Sequence, residues 1–131
     1  MVSRPRTRTL DELEGVTTGP PTYGSYLVQT YHKLRTKPVG EFTTEDLRIM
    51  IGQQDGLMFL VPLALDVLEE NPMAEGDFYP GDLLGSVLRA DPEFWRRNAD
   101  WRSRLERIVS GMSEIPEEIA GYLTEWRKWQ T

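Results

Sequence analysis

Glu75, Asp77 and Asp82 are the residues whose types and spacing come nearest to a chemical site in this chain. Three carboxylates around the turn Phe78-Tyr79-Pro80-Gly81 are the raw material of a calcium loop or of a general acid/base pair. The stretch lacks the alternating Asp/Asn ligands, central glycine and terminal glutamate of an EF-hand loop, so neither reading is favoured. Other catalytic templates find less support. A Ser-His or Cys-His pair needs a poised histidine, and the single histidine, His32, falls in mid-helix between Tyr31 and Lys33. With one histidine and no cysteine, a zinc site is poorly supplied. Gly81 and Gly85 lack the lysine and spacing of a phosphate loop. The expectation is a protein that is not an enzyme and holds no metal or cofactor.

The same carboxylates make better sense as a surface. Of 21 acidic residues, ten lie between Gly40 and Leu88, where Arg48 is the sole base, so this third carries a net 1 − 10 = −9. Residues 1–39 hold six bases and three acids, and residues 89–131 hold eight of each, so the chain's −6 arises in the middle. From Leu68 to Asp82 five carboxylates occur with no counter-charge. Such a field repels nucleic acid and attracts basic proteins. The favoured reading is therefore a partner-binding face of Glu69, Glu70, Glu75, Asp77 and Asp82, with Tyr79 as an amphipathic anchor. The alternatives are a solvated loop in which Asp77 or Asp82 caps a helix, and a Tyr79 ring folded back over the core. Asp82, just before the Leu83 helix, is the carboxylate expected to brace the fold; Glu69, Glu70 and Glu75 have no such positional role.

The elements that must position this face read as helices almost throughout. Residues 1–8, with Arg4, Arg6 and Arg8, lack apolar periodicity and read as a flexible basic tail; residues 9–131 form one helical domain. A helical turn at Thr9–Glu14 ends at Gly15. Tyr23, Tyr26, Leu27, Tyr31 and Leu34 recur at helical steps over 22–36, ended by Pro38. Thr43-Thr44-Glu45-Asp46 is a helix start, and Leu47, Met50 and Ile51 form its buried stripe. The apolar segment from Leu57 to about residue 70 is expected to be the buried central helix, kinked at Pro62 or carrying Pro62 in its first turn. Short helices follow at Asp82–Leu88 and from Asp91-Pro92-Glu93. Trp101, Leu105, Ile108 and Met112 mark another stripe, and Ile119, Leu123 and Trp126 a last one. Period-two strand signals are absent. The fold class is all-α, with six or seven short helices in a single domain. Trp95, Trp101, Trp126 and Trp129 neighbour arginines, as nucleic-acid stacking residues do, but three of the four fall on core stripes.

Hydrophobic content of 39% with 27% charged residues is that of a globular protein, and no apolar run approaches the roughly 20 residues that span a bilayer. The arginines near the start are not followed by an apolar segment, so no signal peptide is expected. The composition points to a cytoplasmic monomer.

Three blocks then carry a family likeness: Thr44 to Gln54 (TEDLRIMIGQQ), Leu60 to Leu65 (LVPLAL) and Glu69 to Leu84 (EENPMAEGDFYPGDLL), with Ser25-Tyr26-Leu27-Val28 before them and Pro92-Glu93-Phe94-Trp95 after. Over about residues 9–110 the chain resembles small helical immunity proteins of bacterial contact-dependent growth inhibition systems. The resemblance implies a cytoplasmic antidote that binds the C-terminal toxin domain of a delivered effector, a nuclease with a basic substrate face in many cases. It supplies no catalytic residues and no conserved contact set. The reading from another class is a small helical adaptor for some other basic protein.

Overall fold

The computed structural model describes residues 7–17 and 26–129. Among these the chain forms eight α-helices and no strand: α1 (Leu10–Glu14), α2 (Tyr26–Arg35), α3 (Thr44–Gly52), α4 (Leu57–Glu70), α5 (Asp82–Leu88), α6 (Pro92–Arg97), α7 (Ala99–Ser110) and α8 (Glu117–Lys128), with a 3₁₀ turn at Val39–Glu41. The all-α class stands, and the helix count reaches eight once the turn at Thr9 is included. Most of the basic tail lies outside the described residues, as do Tyr23 and the Ser25 end of the second helix. Arg8 itself is tied down, because its carbonyl accepts the Val39 N–H at 2.9 Å.

The helix starts follow local chemistry. Thr9 and Thr43 each close a capping box, with Glu12 and Asp46 respectively reaching back to the cap N–H. Asp91 accepts from the Glu93 N–H and Pro92 occupies the first turn of α6. Gly56 begins α4 in the left-handed region, at φ 66°, and a Cβ there would strike the Leu10 methyls at 2.8 Å. Glycine thus allows α1 to seat on the start of α4.

Of the two placements expected for Pro62, the first turn of a helix does not hold. Pro62 is the sixth residue of α4, beyond the first turn, and the helix runs on uninterrupted from Leu57 to Glu70. The proline removes one intrahelical bond near the helix start, the one its N–H would give to the carbonyl of exposed Met58. Burial of Leu60, Val61, Leu63, Ala64, Leu65 and Leu68 outweighs that loss.

Helix α4 packs on α3, α5 and α7, whereas α5 lies between α3, α4 and α8. All seven residues of α5 are buried, Asp82 and Ser86 among them, so α5 is enclosed more fully than α4. Trp95 and Trp126 meet edge to face at 5.8 Å in the core, and Trp101 packs partly buried beside Phe94. Trp129 is half exposed, with the Arg96 guanidinium 5.7 Å from its ring centre.

Arg35, which as a sequence feature only loads the end of α2 with positive charge, is 3% exposed. It contacts Asp11 at 2.9 Å, Glu14 at 2.6 Å and Asp55 at 3.2 Å, and so joins α1, α2 and the α3–α4 turn. Burial opposes its charge and these carboxylates outweigh that effect, holding its pKa above the ordinary arginine value.

Candidate functional site: a braced acidic loop

The acidic residues converge on the 71–81 loop, which runs from the end of α4 to the start of α5. The loop is built, not merely spanned. Asn71 Oδ1 accepts the Met73 N–H at 3.1 Å, and the Gly81 N–H returns to the Met73 carbonyl at 3.1 Å. Glu75 and Pro80 pair as an isolated antiparallel bridge. Between them the chain turns its N–H groups inward, onto two carboxylates. The Gly76 and Phe78 N–H groups donate to Asp82 at 2.6 and 3.0 Å, and the Asp77 N–H donates to Glu45 Oε1 at 2.9 Å.

Arg48 balances these two acids. Its Nε and Nη2 donate to the two Glu45 oxygens, each at 2.6 Å, and its Nε lies 3.8 Å from Asp82 Oδ2. The arginine hydrogen bond, supplemented by the Asp77 N–H and opposed by burial, holds Glu45 below the usual carboxylate range. The same guanidinium lies 4.1 Å from the centre of the Phe78 ring. Gly76 belongs at the closest approach, since a Cβ there would overlap Glu45 Oε1 and crowd both Asp82 oxygens.

The six residues expected to form a partner face are therefore distributed unevenly. Asp82 is 2% exposed and is an internal brace; it is not a surface charge, because loop N–H groups and Arg48 compensate its burial. It is also not the N-cap of α5, a position held by Gly81 in the left-handed region. Tyr79 is half-buried and packed on the core, and burial raises its phenol pKa. Glu69 is exposed but has a structural partner after all. It receives Arg104 Nε and Nη2 at 3.0 and 2.7 Å, and Arg104 also reaches Asp66 at 2.9 Å, which links α4 to α7. Arg104 holds Glu69 below its ordinary pKa. Glu70, Glu75 and Asp77 are exposed carboxylates of this segment, and none of them forms an ion pair with a base among the described residues.

Phe78, which was not among the six, is 69% exposed. Its neighbour Tyr79 draws attention in the sequence as the amphipathic ring, but only the fold decides which of the two adjacent aromatics turns inward. Glu45 and Arg48 were also hidden. Arg48 is the sole base of the acidic third, a signal that it has a structural task.

Among the described residues no group of three or more His, Cys, Asp or Glu side chains is arranged to hold a metal ion. No described helix is long and apolar enough to cross a membrane. His32 is half-buried on α2, edge-on to Tyr31 at 5.9 Å.

Fold and site together define a small helical scaffold that presents a hydrogen-bonded acidic loop tipped by an exposed aromatic ring. The family model for CDI immunity proteins, those of contact-dependent growth inhibition, matches residues 12–105. The chain belongs to this family, and is thereby an immunity protein whose partner is a cognate toxin. No curated protein and no solved structure matches it.

Proposed function

We propose that this chain neutralises a basic toxin domain, of the nuclease type, by docking its 71–81 loop and the adjoining end of α4 onto the toxin. Glu69, Glu70, Glu75 and Asp77 supply the charge, with Phe78 in the anchoring place that Tyr79 was expected to take. Asp82 acts from inside, by holding the loop in shape. The observation that carries the reading is the exposure of Phe78 among carboxylates on a loop whose backbone is pinned by Glu45 and Asp82. A preformed loop avoids the ordering cost that a flexible acidic segment meets on binding.

Inhibition is steric and electrostatic. The acidic surface covers the toxin's substrate cleft or an adjacent exosite, and the chain acts as a monomer, without catalysis, in the cytoplasm of the cell that makes it. Opposite charge speeds encounter and disfavours unlike partners. The test is stopped-flow association with the toxin domain over a salt series. The rate constant should fall steeply as salt rises, because exposed charges are screened over about 8 Å at physiological ionic strength. A rate that does not change with salt would move the contact to an apolar surface such as that around Trp129.

A further inference from the structure

Beside the acidic loop, α3 and α5 enclose a cleft of about 470 Å³ with quite different chemistry. Its walls include Gln53, Phe78, Tyr79, Ser86, the buried Asp82 carboxylate, whose charge loop N–H groups and Arg48 compensate, and two arginines, Arg48 and Arg89. Arg48 is neutralised by Glu45. Arg89 is not neutralised. It forms no ion pair with a carboxylate among the described residues, yet its guanidinium is held in place: Nε donates to the Gly85 carbonyl at 3.2 Å, and the guanidinium carbon lies 4.4 Å from the centre of the Tyr122 ring.

The backbone at Arg89 is clamped as well. Gln54 is the one described non-glycine residue with positive φ, at 60°. Its side-chain amide spans to the α5–α6 junction, where Nε2 donates to the Arg89 carbonyl at 3.1 Å and Oε1 accepts the Asp91 N–H at 2.8 Å. A left-handed glutamine is an unfavourable conformation, kept here by two hydrogen bonds that fix the segment bearing Arg89. Three separate contacts thus immobilise an exposed arginine at the mouth of a cleft, in a chain whose net charge is −6. An arginine so constrained has lost most of the rotamer entropy that binding a carboxylate would otherwise consume, and its terminal amino groups suit bidentate contact with one.

We propose that this cleft receives an aspartate or glutamate side chain of the cognate toxin, bound by Arg89 beside the Phe78 ring. The inference rests on the toxin-binding reading above and deepens it: the interface is bipolar, with an acidic loop toward the toxin's basic face and one fixed arginine toward a toxin carboxylate. A protein carboxylate suits the cleft better than a nucleic-acid phosphate, because the neighbouring loop charge would repel a polyanion. Bipolar contact also fixes register, since a partner with only basic groups would leave Arg89 unpaired.

The probe is an inactivated toxin domain from the effector gene adjacent to this chain's own, with affinity measured by calorimetry. Arg89→Gln should weaken binding by roughly 10- to 100-fold, the lower part of the range for loss of a close interfacial charge pair. Gln53→Glu, on an exposed residue of the cleft wall, should weaken it in the same direction by offering Arg89 an internal partner, and decides the matter if Arg89→Gln fails to fold. Toxin Asp→Asn and Glu→Gln variants should then reveal one position whose effect vanishes in the Arg89→Gln background. Tight binding by wild type with no loss in either variant, or a toxin scan in which no carboxylate couples to Arg89, overturns the inference and leaves the toxin-binding reading intact. Failure of the wild-type chain to bind at all overturns that reading itself.

Discussion

Replacing Asp82 with alanine tests whether the acidic loop is a built object. The carboxylate accepts Gly76 and Phe78 N–H groups at 2.6 and 3.0 Å while itself 2% exposed. Hydrogen bonds to a charged acceptor contribute about 1.5–3 kcal/mol each, so the pair sets an upper bound of about 3–6 kcal/mol. Phe78 is exposed and Gly76 only half-buried, so water can serve the orphaned donors in part, and removing the buried charge also removes its desolvation cost. Halving the bound gives an expected loss of about 1.5–3 kcal/mol. A simple helix cap at this position would cost only about 1 kcal/mol. The assay is equilibrium urea unfolding followed by tryptophan fluorescence, with a thermal melt expected to fall by roughly 5–11 °C for a chain of this size. Asp82→Asn keeps the shape and one acceptor oxygen but loses the charge, and should fall between wild type and alanine. Both variants should bind the toxin more weakly, since the Phe78 turn loses its brace. A loss for Asp82→Ala within about 0.5 kcal/mol, the range of ordinary surface changes, would refute the reasoning. The loop would then be held by its own turn geometry and not by the buried acid.

Neighbouring glutamates should separate in stability: Glu70→Gln and Glu75→Gln should each stay within about 0.5 kcal/mol in urea titrations, while Glu69→Gln, exposed but paired with Arg104, should cost up to about 1 kcal/mol. The triple variant should lose protection in a toxin-challenge assay, and full protection by a folded triple variant would remove the segment from the contact. Glu45 has a depressed pKa in the folded chain, so its contribution is present above the unfolded value of about 4.5 and is lost as pH falls through the folded value. Stability should therefore decline as pH drops below about 4.5, and Glu45→Gln should flatten that limb of a pH series of urea midpoints while lowering the neutral-pH value.

Much of the helical framework could be read directly from the chain. Capping threonines at 9 and 43, Asp91 before Pro92, and apolar residues at three- and four-residue steps are local signals that act within a turn or two, and the helices start and stop where those signals say. Pro62 is the exception. Its effect depends on how early the helix begins, and Gly56, held left-handed under Leu10, begins α4 six residues before the proline. The concentration of acid in the middle third is likewise a property of the sequence alone.

Tertiary structure decided where that charge goes. Electrostatic pairing here runs across distances the sequence does not display: Glu45 to the Asp77 N–H over 32 residues, Arg104 to Glu69 over 35, and Arg35 to Asp11 over 24. A run of five carboxylates with no local counter-charge turns out to include one buried brace, one inter-helix ion pair and three exposed charges. The difference between Phe78 and Tyr79 is of the same kind, since adjacent rings on one turn point different ways, Tyr79 onto the core and Phe78 outward. Periodicity reports which face of a helix is buried because the helix repeats; an irregular loop has no repeat, so the fate of each of its side chains waits on the neighbours that folding brings to it.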